Sequence, residues 1–258
     1  MTMTVTQPTP YPDVNAFLHQ FLSRVRAVLG PDVVGLYLYG SLSLGDFDPT
    51  SSDIDAVVAT ATPLGPGAIT ELRGLHAALH VSDGDWARRL DVSYMPLAAL
   101  RRYDLTAARH PFSSTVSPFD IIEHGRDWVI NLYIMRETGV AVAGPPPRTL
   151  IDPITPDDLR AATRHILRAS WVRHIDGPDW MRPCKYQAFT VLTMCRTWYV
   201  LERGAVVSKP QAARWAQEAL ATRWTPLIRW ALLHRDDPQP GDMEETLRFL
   251  RYTIDAHC

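Results

Sequence analysis

Two apolar runs separated by a loop lie within residues 33–58, VVGLYLYGSLSLGDFDPTSSDIDAVV. Both runs are rich in β-branched and aromatic residues, which is typical of buried strands. The second run opens with two acids, Asp53 and Asp55, on either side of Ile54. Alternate residues of a strand point to one face, so the two carboxylates are expected side by side while Ile54 faces the core. Because two unpaired neighbouring carboxylates repel each other, the pattern predicts a cation between them.

The chemistry around this loop favours a metal ion beside a phosphate. Carboxylate oxygens that leave positions open for water suit Mg²⁺. Gly40 and Ser41 follow the first run directly. Glycine lets the backbone turn and approach a ligand, so backbone N–H groups and the serine hydroxyl can reach a phosphate. The alternative, in which Asp53 and Asp55 are cap and turn residues of the loop, fits poorly with the β-branched residues that follow at once.

A third strand is predicted within residues 88–97, RRLDVSYMPL, with Asp91 inside it. If this strand lies beside the second, Asp91 joins the other two acids. It could then bind metal, accept the proton of an attacking hydroxyl, or do both. The alternative for Asp91 is a solvated acid on the surface of a strand.

The chain changes character near its middle. Helical and strand patterns alternate up to about residue 110, residues 110–127 have no clear pattern, and DWVINLYIMRETG predicts a buried helix. The segment VAVAGPPPRTLIDPITPDD is rich in proline and is interpreted as a boundary or linker. Thr155, Pro156 and Asp158 form a capping box, which predicts a helix running towards His174. We therefore expect an α+β fold, with a mixed α/β domain over residues 1–150 and a bundle of about five helices over residues 151–258.

Composition restricts the partners and the compartment. The 258 residues carry a formal net charge of −2 and no basic stripe, which argues against nucleic acid as a partner. No run of about 18 apolar residues and no signal-peptide pattern is found, so no membrane partner is expected. Three cysteines without a CxxC pair are typical of a reducing compartment. We expect a cytoplasmic protein and a monomer.

Several segments resemble one known family. LYLYGSLSLGDFDPTSSDIDAVV resembles the motif of the polymerase-β-like nucleotidyltransferase superfamily. ETGVAVAGP, the PDW at residues 178–180, VLTMCRTWY and GAVVSKPQAARWA together resemble the aminoglycoside 3''/9-adenylyltransferases, which modify streptomycin and spectinomycin. The similarity spans most of residues 30–222. It implies a nucleotidyltransferase domain over residues 1–150 and a helical domain over residues 151–258 that closes over substrate and nucleotide.

The resemblance also implies a reaction. AMP would pass from ATP to a hydroxyl of a small cationic antibiotic, with release of pyrophosphate. Two Mg²⁺ ions would be held by Asp53 and Asp55, with Asp91 as a further ligand and as the base. The residues expected to bind the nucleotide are Gly40, Ser41, Ser52, Arg196 and Lys209.

Arg196 and Lys209 match an Arg and a Lys that contact the triphosphate in the resembled family. Ser208 is a predicted N-cap, so Lys209 would begin a helix whose free N–H groups attract anions. Arg196 lies in an apolar helix stripe, where a buried guanidinium needs a charged partner. A structural salt bridge for Arg196 and a solvated side chain for Lys209 are the alternatives.

Trp171 and Asp179 are the candidates for binding the drug, because family members that act on streptomycin use a Trp and an Asp. Ordinary packing between helices is the alternative for Trp171. Two other functions stay open at this point. The chain could adenylylate a different small molecule or a protein, or it could be a nucleotide-binding module without catalytic activity.

Overall fold

The computed structural model describes residues 7–82, 84–104, 108–114, 118–234 and 241–258. The chain divides into two compact units, Met1–Pro153 and Ile154–Cys258. The first unit contains a β-sheet, and the second is helical. Of the helices within the described ranges, none combines the length and hydropathy that crossing a lipid bilayer requires.

The first unit mixes helices and strands. It begins with helix α1 (Pro12–Leu29), strand β1 (Val33–Leu38), helix α2 (Gly40–Leu44) and strand β2 (Ile54–Thr60). It continues with α3 (Pro66–Ser82), α4 (Gly84–Arg88), β3 (Leu90–Pro96) and α5 (Leu97–Arg101). It ends with β4 (Arg109–Ser113), β5 (Asp120–Glu123), α6 (Asp127–Thr138), β6 (Val140–Ala143) and α7 (Pro147–Leu150).

The described strands form one six-stranded sheet in the order β5-β4-β3-β2-β1-β6. Strands β2 and β3 are parallel, and every other neighbouring pair is antiparallel. Alternation decides which face of the central strands is buried, because Ile54 and Ala56 belong to the main hydrophobic cluster while Asp55 between them does not. Residues of α1 and α3, among them Phe21 and Leu72, complete that cluster. Helix α1, which precedes β1, ends at Leu29 with Gly30 as its C-cap.

Two parts of the first unit differ from the sequence-based interpretation. The segment without a clear pattern contains β4, β5 and the start of α6. Residues 140–143, interpreted as the start of a linker, form β6, which pairs antiparallel with β1. Both differences have one cause. Strands of four or five residues carry little periodic signal, and it is pairing with a partner strand that stabilises them.

The second unit consists of helices. They are α8 (Pro156–Ile166), α9 (Arg173–Asp176), α10 (Cys184–Arg203), α11 (Lys209–Ala219), α12 (Thr225–Leu233) and α13 (Met243–His257). Helix α10 is central and contacts α8, α11, α12 and α13. The fold class is confirmed as a mixed α/β sheet domain followed by a helical bundle.

The predicted capping box begins α8. Thr155 Oγ1 accepts a hydrogen bond from the backbone N–H of Asp158 at 3.2 Å, and Asp158 Oδ2 accepts one from the N–H of Thr155 at 2.9 Å. The helix ends earlier than predicted, at Ile166, because a π-helical turn over Leu167–Trp171 follows it.

Candidate active site

Acids of two neighbouring strands meet in the first unit. Asp55, the second residue of β2, is paired in register with Asp91, the second residue of β3. Asp53 is exposed and directly precedes β2, which begins one residue later than its predicted start. In a parallel pair, residues in register lie side by side, so Asp55 and Asp91 share one face of the sheet.

The end of β1 packs closely against Asp55. The backbone N–H of Tyr39 donates to the carbonyl oxygen of Asp55 at 3.1 Å. Gly40 has a φ of 63°, and a Cβ at this position would overlap the carboxylate of Asp55. The hydroxyl of Ser41 is buried, with no hydrogen-bond partner in the described part of the chain. A buried hydroxyl without a partner is destabilising, so Ser41 is suited to an oxygen of a ligand such as a phosphate.

Hydrogen bonds fix the loop before β2. Asp48 Oδ1 accepts from the N–H of Thr50 at 2.8 Å, as in an Asx turn. Ser52 Oγ accepts from the N–H of Asp48 at 3.0 Å, so this hydroxyl already serves the loop. Arg89, at the entrance to β3, donates to the carbonyl oxygens of Pro49 and Ser52. The loop that leads to Asp53 is therefore tied to the neighbouring strand.

A cavity of about 320 Å³ opens at these acids. Its lining includes the carboxylates of Asp55, Asp91, Glu123 and Asp127 and the rings of Tyr39 and Trp128. A larger cavity in the same unit, of about 830 Å³, is mainly apolar and contains none of the predicted site residues. The chemistry of the first unit is therefore concentrated at the smaller cavity.

The acids dominate the electrostatics of this cavity. Burial and, after it, the charges of Asp55, Asp91, Asp127 and Asp53 raise the pKa of Tyr39 well above its usual range. Tyr39 is 6% exposed and stays protonated. Burial also raises the pKa of Asp127, against hydrogen bonds from the backbone N–H groups of residues 127 and 128. The cavity is thus strongly anionic.

A neutral histidine closes one side of the cavity. The ring of His124 stacks on Trp128 with centroids 4.4 Å apart. Its Nε2 lies 3.2 Å from Ser93 Oγ, two residues after Asp91 on the same face of β3. Burial, with a smaller effect of His110, lowers the pKa of His124 to about 3. At neutral pH this ring therefore adds no positive charge to the cavity.

The donor set suits Mg²⁺, although it does not form a complete metal site. Within the described residues, no three His, Cys, Asp or Glu side chains are arranged to hold a metal ion by themselves. Mg²⁺ is commonly bound by one or two carboxylates together with substrate phosphates and water, rather than by a cage of protein ligands. Asp53 and Asp55, beside the unpartnered hydroxyl of Ser41, match that pattern.

The second unit places the predicted cations on one side of α10. Lys209 is the first residue of α11, and its Nζ lies 3.9 Å from the centroid of the Phe189 ring. Phe189, Thr193 and Arg196 follow one another at helical spacing on α10. The hydroxyl of Thr193 is buried, with no hydrogen-bond partner in the described ranges. The unpartnered hydroxyl of Thr193 therefore lies on the same face of α10 as Arg196 and as Phe189, the ring that Lys209 contacts.

The structure gives Trp171 and Asp179 separate environments. Trp171 is buried in an aromatic cluster, with ring centroids 6.2 Å from Trp180 and 6.4 Å from Phe189. Asp179 is exposed and forms an ion pair with Arg182 at 2.7 Å. Exposed pairs of this kind contribute little stability, so Asp179 can exchange Arg182 for another cation at little cost.

Sequence reasoning missed Tyr39, Arg89, His124 and Asp127. Asp127 precedes a tryptophan at the start of a helix, where an acid is ordinary. In the sequence, Tyr39 is simply the last residue of a predicted strand, where an aromatic residue is common. The signal that was present for Asp127 is Gly125 two residues earlier, because a Cβ there would lie 2.7 Å from Asp127 Oδ1.

Comparisons with known proteins agree with this architecture. A family model described as "Nucleotidyltransferase domain" matches residues 18–110, and one described as "Aminoglycoside adenylyltransferase, C-terminal domain" matches residues 149–255. The chain is 26% identical over 261 residues to an aminoglycoside (3'') (9) adenylyltransferase of Shigella flexneri, covering 93% of each chain. It is 23% identical over 239 residues to a spectinomycin 9-adenylyltransferase of Campylobacter jejuni, covering 85% of each.

A solved structure shares the fold. Spectinomycin adenyltransferase AAD(9) from Enterococcus faecialis, solved with ATP and spectinomycin, superposes with a TM-score of 0.70 at 15% sequence identity. The match covers 92% of this chain and 98% of that one. The chain thus matches a nucleotidyltransferase domain over residues 18–110 and the C-terminal domain of the aminoglycoside adenylyltransferases over residues 149–255, and it resembles the aminoglycoside adenylyltransferases over most of its length.

Proposed function

We propose that this enzyme transfers AMP from ATP to a hydroxyl of spectinomycin, streptomycin or both. The observation that carries the proposal is the pairing of Asp55 with Asp91 beside Gly40 and the unpartnered hydroxyl of Ser41. This arrangement offers two carboxylates and a phosphate-binding turn within one site. The names of the relatives and the anionic cavity support a cationic, hydroxyl-rich acceptor.

In the proposed reaction, Gly40 and Ser41 hold the nucleotide phosphates. Asp91 accepts the proton of the acceptor hydroxyl while its oxygen bonds to the α-phosphorus and the bond to pyrophosphate breaks. Asp53 and Asp55 would hold two Mg²⁺ ions, which would neutralise part of the triphosphate charge. Whether Asp91 also ligates a metal ion stays a prediction.

Arg196 and Lys209 are proposed to bind the triphosphate. The N–H groups at the start of α11 and the hydroxyl of Thr193 support an anion in that part of the second unit. A guanidinium and an ammonium would neutralise the departing pyrophosphate. Ser52 remains a candidate through its hydroxyl, which accepts from the N–H of Asp48 and keeps an O–H that can donate, whereas its backbone N–H and carbonyl are bonded to Asp48 and Arg89. Drug-binding roles for Trp171 and Asp179 stay predictions.

The test is to incubate the purified protein with ATP, Mg²⁺ and each antibiotic. We expect pyrophosphate release and an adduct heavier than the antibiotic by one AMP group, detected by mass spectrometry. Asp55→Asn, which removes a metal ligand but keeps the side-chain shape, should abolish both signals and leave the circular dichroism spectrum unchanged. Normal turnover by this variant, or no adduct with either antibiotic, would contradict the proposal.

Asp91→Asn tests the base separately. The amide cannot accept the proton, so kcat should fall by roughly 10²-fold or more, with a smaller change in the affinity for ATP. Steady-state rates and ATP titrations measure the two quantities. An unaltered kcat would remove Asp91 from the mechanism.

A further inference from the structure

Two acids of the 320 Å³ cavity, Glu123 and Asp127, have no part in the proposed chemistry. Asp127, the first residue of α6, lines this cavity together with Asp55 and Asp91. Gly125 leaves space for its carboxylate, because any side chain there would meet Asp127 Oδ1.

The charge of Asp127 is not balanced by the protein. No Lys or Arg of the described chain forms an ion pair with it, and its hydrogen bonds come from backbone N–H groups of residues 127 and 128. The residue is exposed at the edge of the cavity. Its carboxylate can therefore receive a balancing cation from a ligand that enters the cavity.

Tyr39 gives a second, independent indication of a ligand. Tyr39 is buried, with 6% of its surface exposed, and it lines the same cavity. Within the described residues its hydroxyl forms no hydrogen bond, whereas the hydroxyl of Tyr94 on β3 lies 2.8 Å from His76 Nε2. Hydroxyls of buried tyrosines usually find a partner, so Tyr39 is suited to a polar group that enters the cavity.

The walls of the cavity suit a cation rather than an anion. The described lining contains four carboxylates and no Lys or Arg, and burial keeps its histidine neutral. The Trp128 ring lies 5.9 Å from the ring of Tyr39. Aromatic faces beside carboxylates attract ammonium and guanidinium groups.

We infer that Asp127, with the hydroxyl of Tyr39 and the face of Trp128, binds a protonated nitrogen of the acceptor and so determines which acceptor is accepted. The inference rests on the proposed adenylyl transfer, in which Asp53, Asp55 and Asp91 serve the metal ions and the proton. Asp127 and Glu123 are then the acids left. Asp127, unlike Glu123, is among the charges that raise the pKa of Tyr39, so it is the one assigned to the acceptor. Tyr39 orients the same group by a hydrogen bond.

The test measures binding of spectinomycin and of streptomycin by calorimetry, with Mg²⁺ and the non-transferable analogue α,β-methylene-ATP present. Asp127→Asn keeps the hydrogen bonds to the start of α6 and loses the charge. We expect its Kd for the bound antibiotic to rise tenfold or more, while its Kd for the ATP analogue changes less than about twofold. Tyr39→Phe should raise the antibiotic Kd by a smaller factor.

Two controls separate charge at this position from other effects. Asp85→Asn removes an exposed carboxylate, paired with Arg88, outside the cavity and should bind both ligands as the parent protein does. A neutral N-acetylated spectinomycin should bind the parent protein more weakly than spectinomycin does. Its Kd should be the same for Asp127→Asn as for the parent protein, because it has no charge for Asp127 to pair with. If Asp127→Asn does not fold, Asp127→Ser is measured in its place, because serine also supplies a capping oxygen.

The outcomes distinguish this inference from the proposed function. If the parent protein adenylylates an antibiotic and Asp127→Asn binds it equally well, the inference is wrong and the function stands. If Asp127→Asn instead raises only the Mg²⁺ concentration needed to bind the ATP analogue, Asp127 is a metal ligand and the inference is wrong. If the parent protein neither binds nor modifies either antibiotic, both are wrong.

Discussion

At the scale of single residues, Gly40 links the turn after β1 to the acid of β2. Its φ of 63° lies in the left-handed region, and the space where a Cβ would stand is filled by the Asp55 carboxylate. Gly45, at the end of α2, has a φ of 72° but no atom within 4 Å of a Cβ position. Both glycines therefore adopt a positive φ that other residues avoid. Of the two, Gly40 is also the one at which a side chain would collide with Asp55.

Gly40→Ala should abolish adenylyl transfer and destabilise the protein more than Gly45→Ala. Both changes carry a backbone penalty of about 1 to 2 kcal/mol, and only the first displaces Asp55. Free energies of unfolding in urea and initial rates measure the two effects. Equal losses in both variants would show that contact with Asp55 has no consequence.

The sequence identified some residues of the site and not others for physical reasons. Asp53, Asp55 and Asp91 could be predicted as candidates because acids inside or directly beside apolar strands are costly and therefore easily noticed. Tyr39 and Asp127 could not, since a tyrosine at a strand end and an acid at a helix start are common. Their importance depends on which residues surround them in the folded chain.

At the scale of elements, length decided what the sequence could predict. The long helices α1 and α10 and the buried strands β1, β2 and β3 carry enough residues for a periodic pattern. Strands β4, β5 and β6 have five residues or fewer and include Pro111, so local preference does not specify them. The early end of α8 depends on a π-helical turn, which no local signal marked.

The capping box of α8 offers a test at this scale. Thr155→Ala removes the oxygen that accepts from the N–H of Asp158 and should lower the free energy of unfolding by about 1 kcal/mol. Thr222→Ala, at an exposed threonine of the same unit, should have little effect. Urea unfolding compares the two variants. An equal effect of both would show that the cap is not stabilising.

At the scale of the whole molecule, buried neutral histidines make stability depend on pH. His76 is packed between Phe21 and Phe119, and its Nε2 lies 2.8 Å from the hydroxyl of Tyr94. Burial first, and then the charge of His80, lower its pKa from 6.5 to about 4. Between these two values the unfolded chain binds the proton and the folded chain does not. Its contribution to stability is complete above pH 6.5 and is lost as the pH falls towards 4.

Lowering the pH from 7.5 to 5.0 should therefore reduce the free energy of unfolding, with His76 contributing on the order of 2 kcal/mol. His76→Gln keeps a polar group near Tyr94 and does not titrate, so its loss over the same interval should be smaller by about that amount. Urea unfolding at both pH values measures the difference. Parallel losses in the two proteins would contradict a neutral His76.

Strand β6 has a consequence for handling pieces of this protein. The nucleotidyltransferase match ends at residue 110, yet among the described strands it is β6, residues 140–143, that pairs with the outer side of β1. A fragment truncated before Val140 would present the bare backbone of β1 to other copies, and open strand edges of this kind promote aggregation. Expression of the catalytic half alone should yield soluble material only if the fragment extends past Ala143.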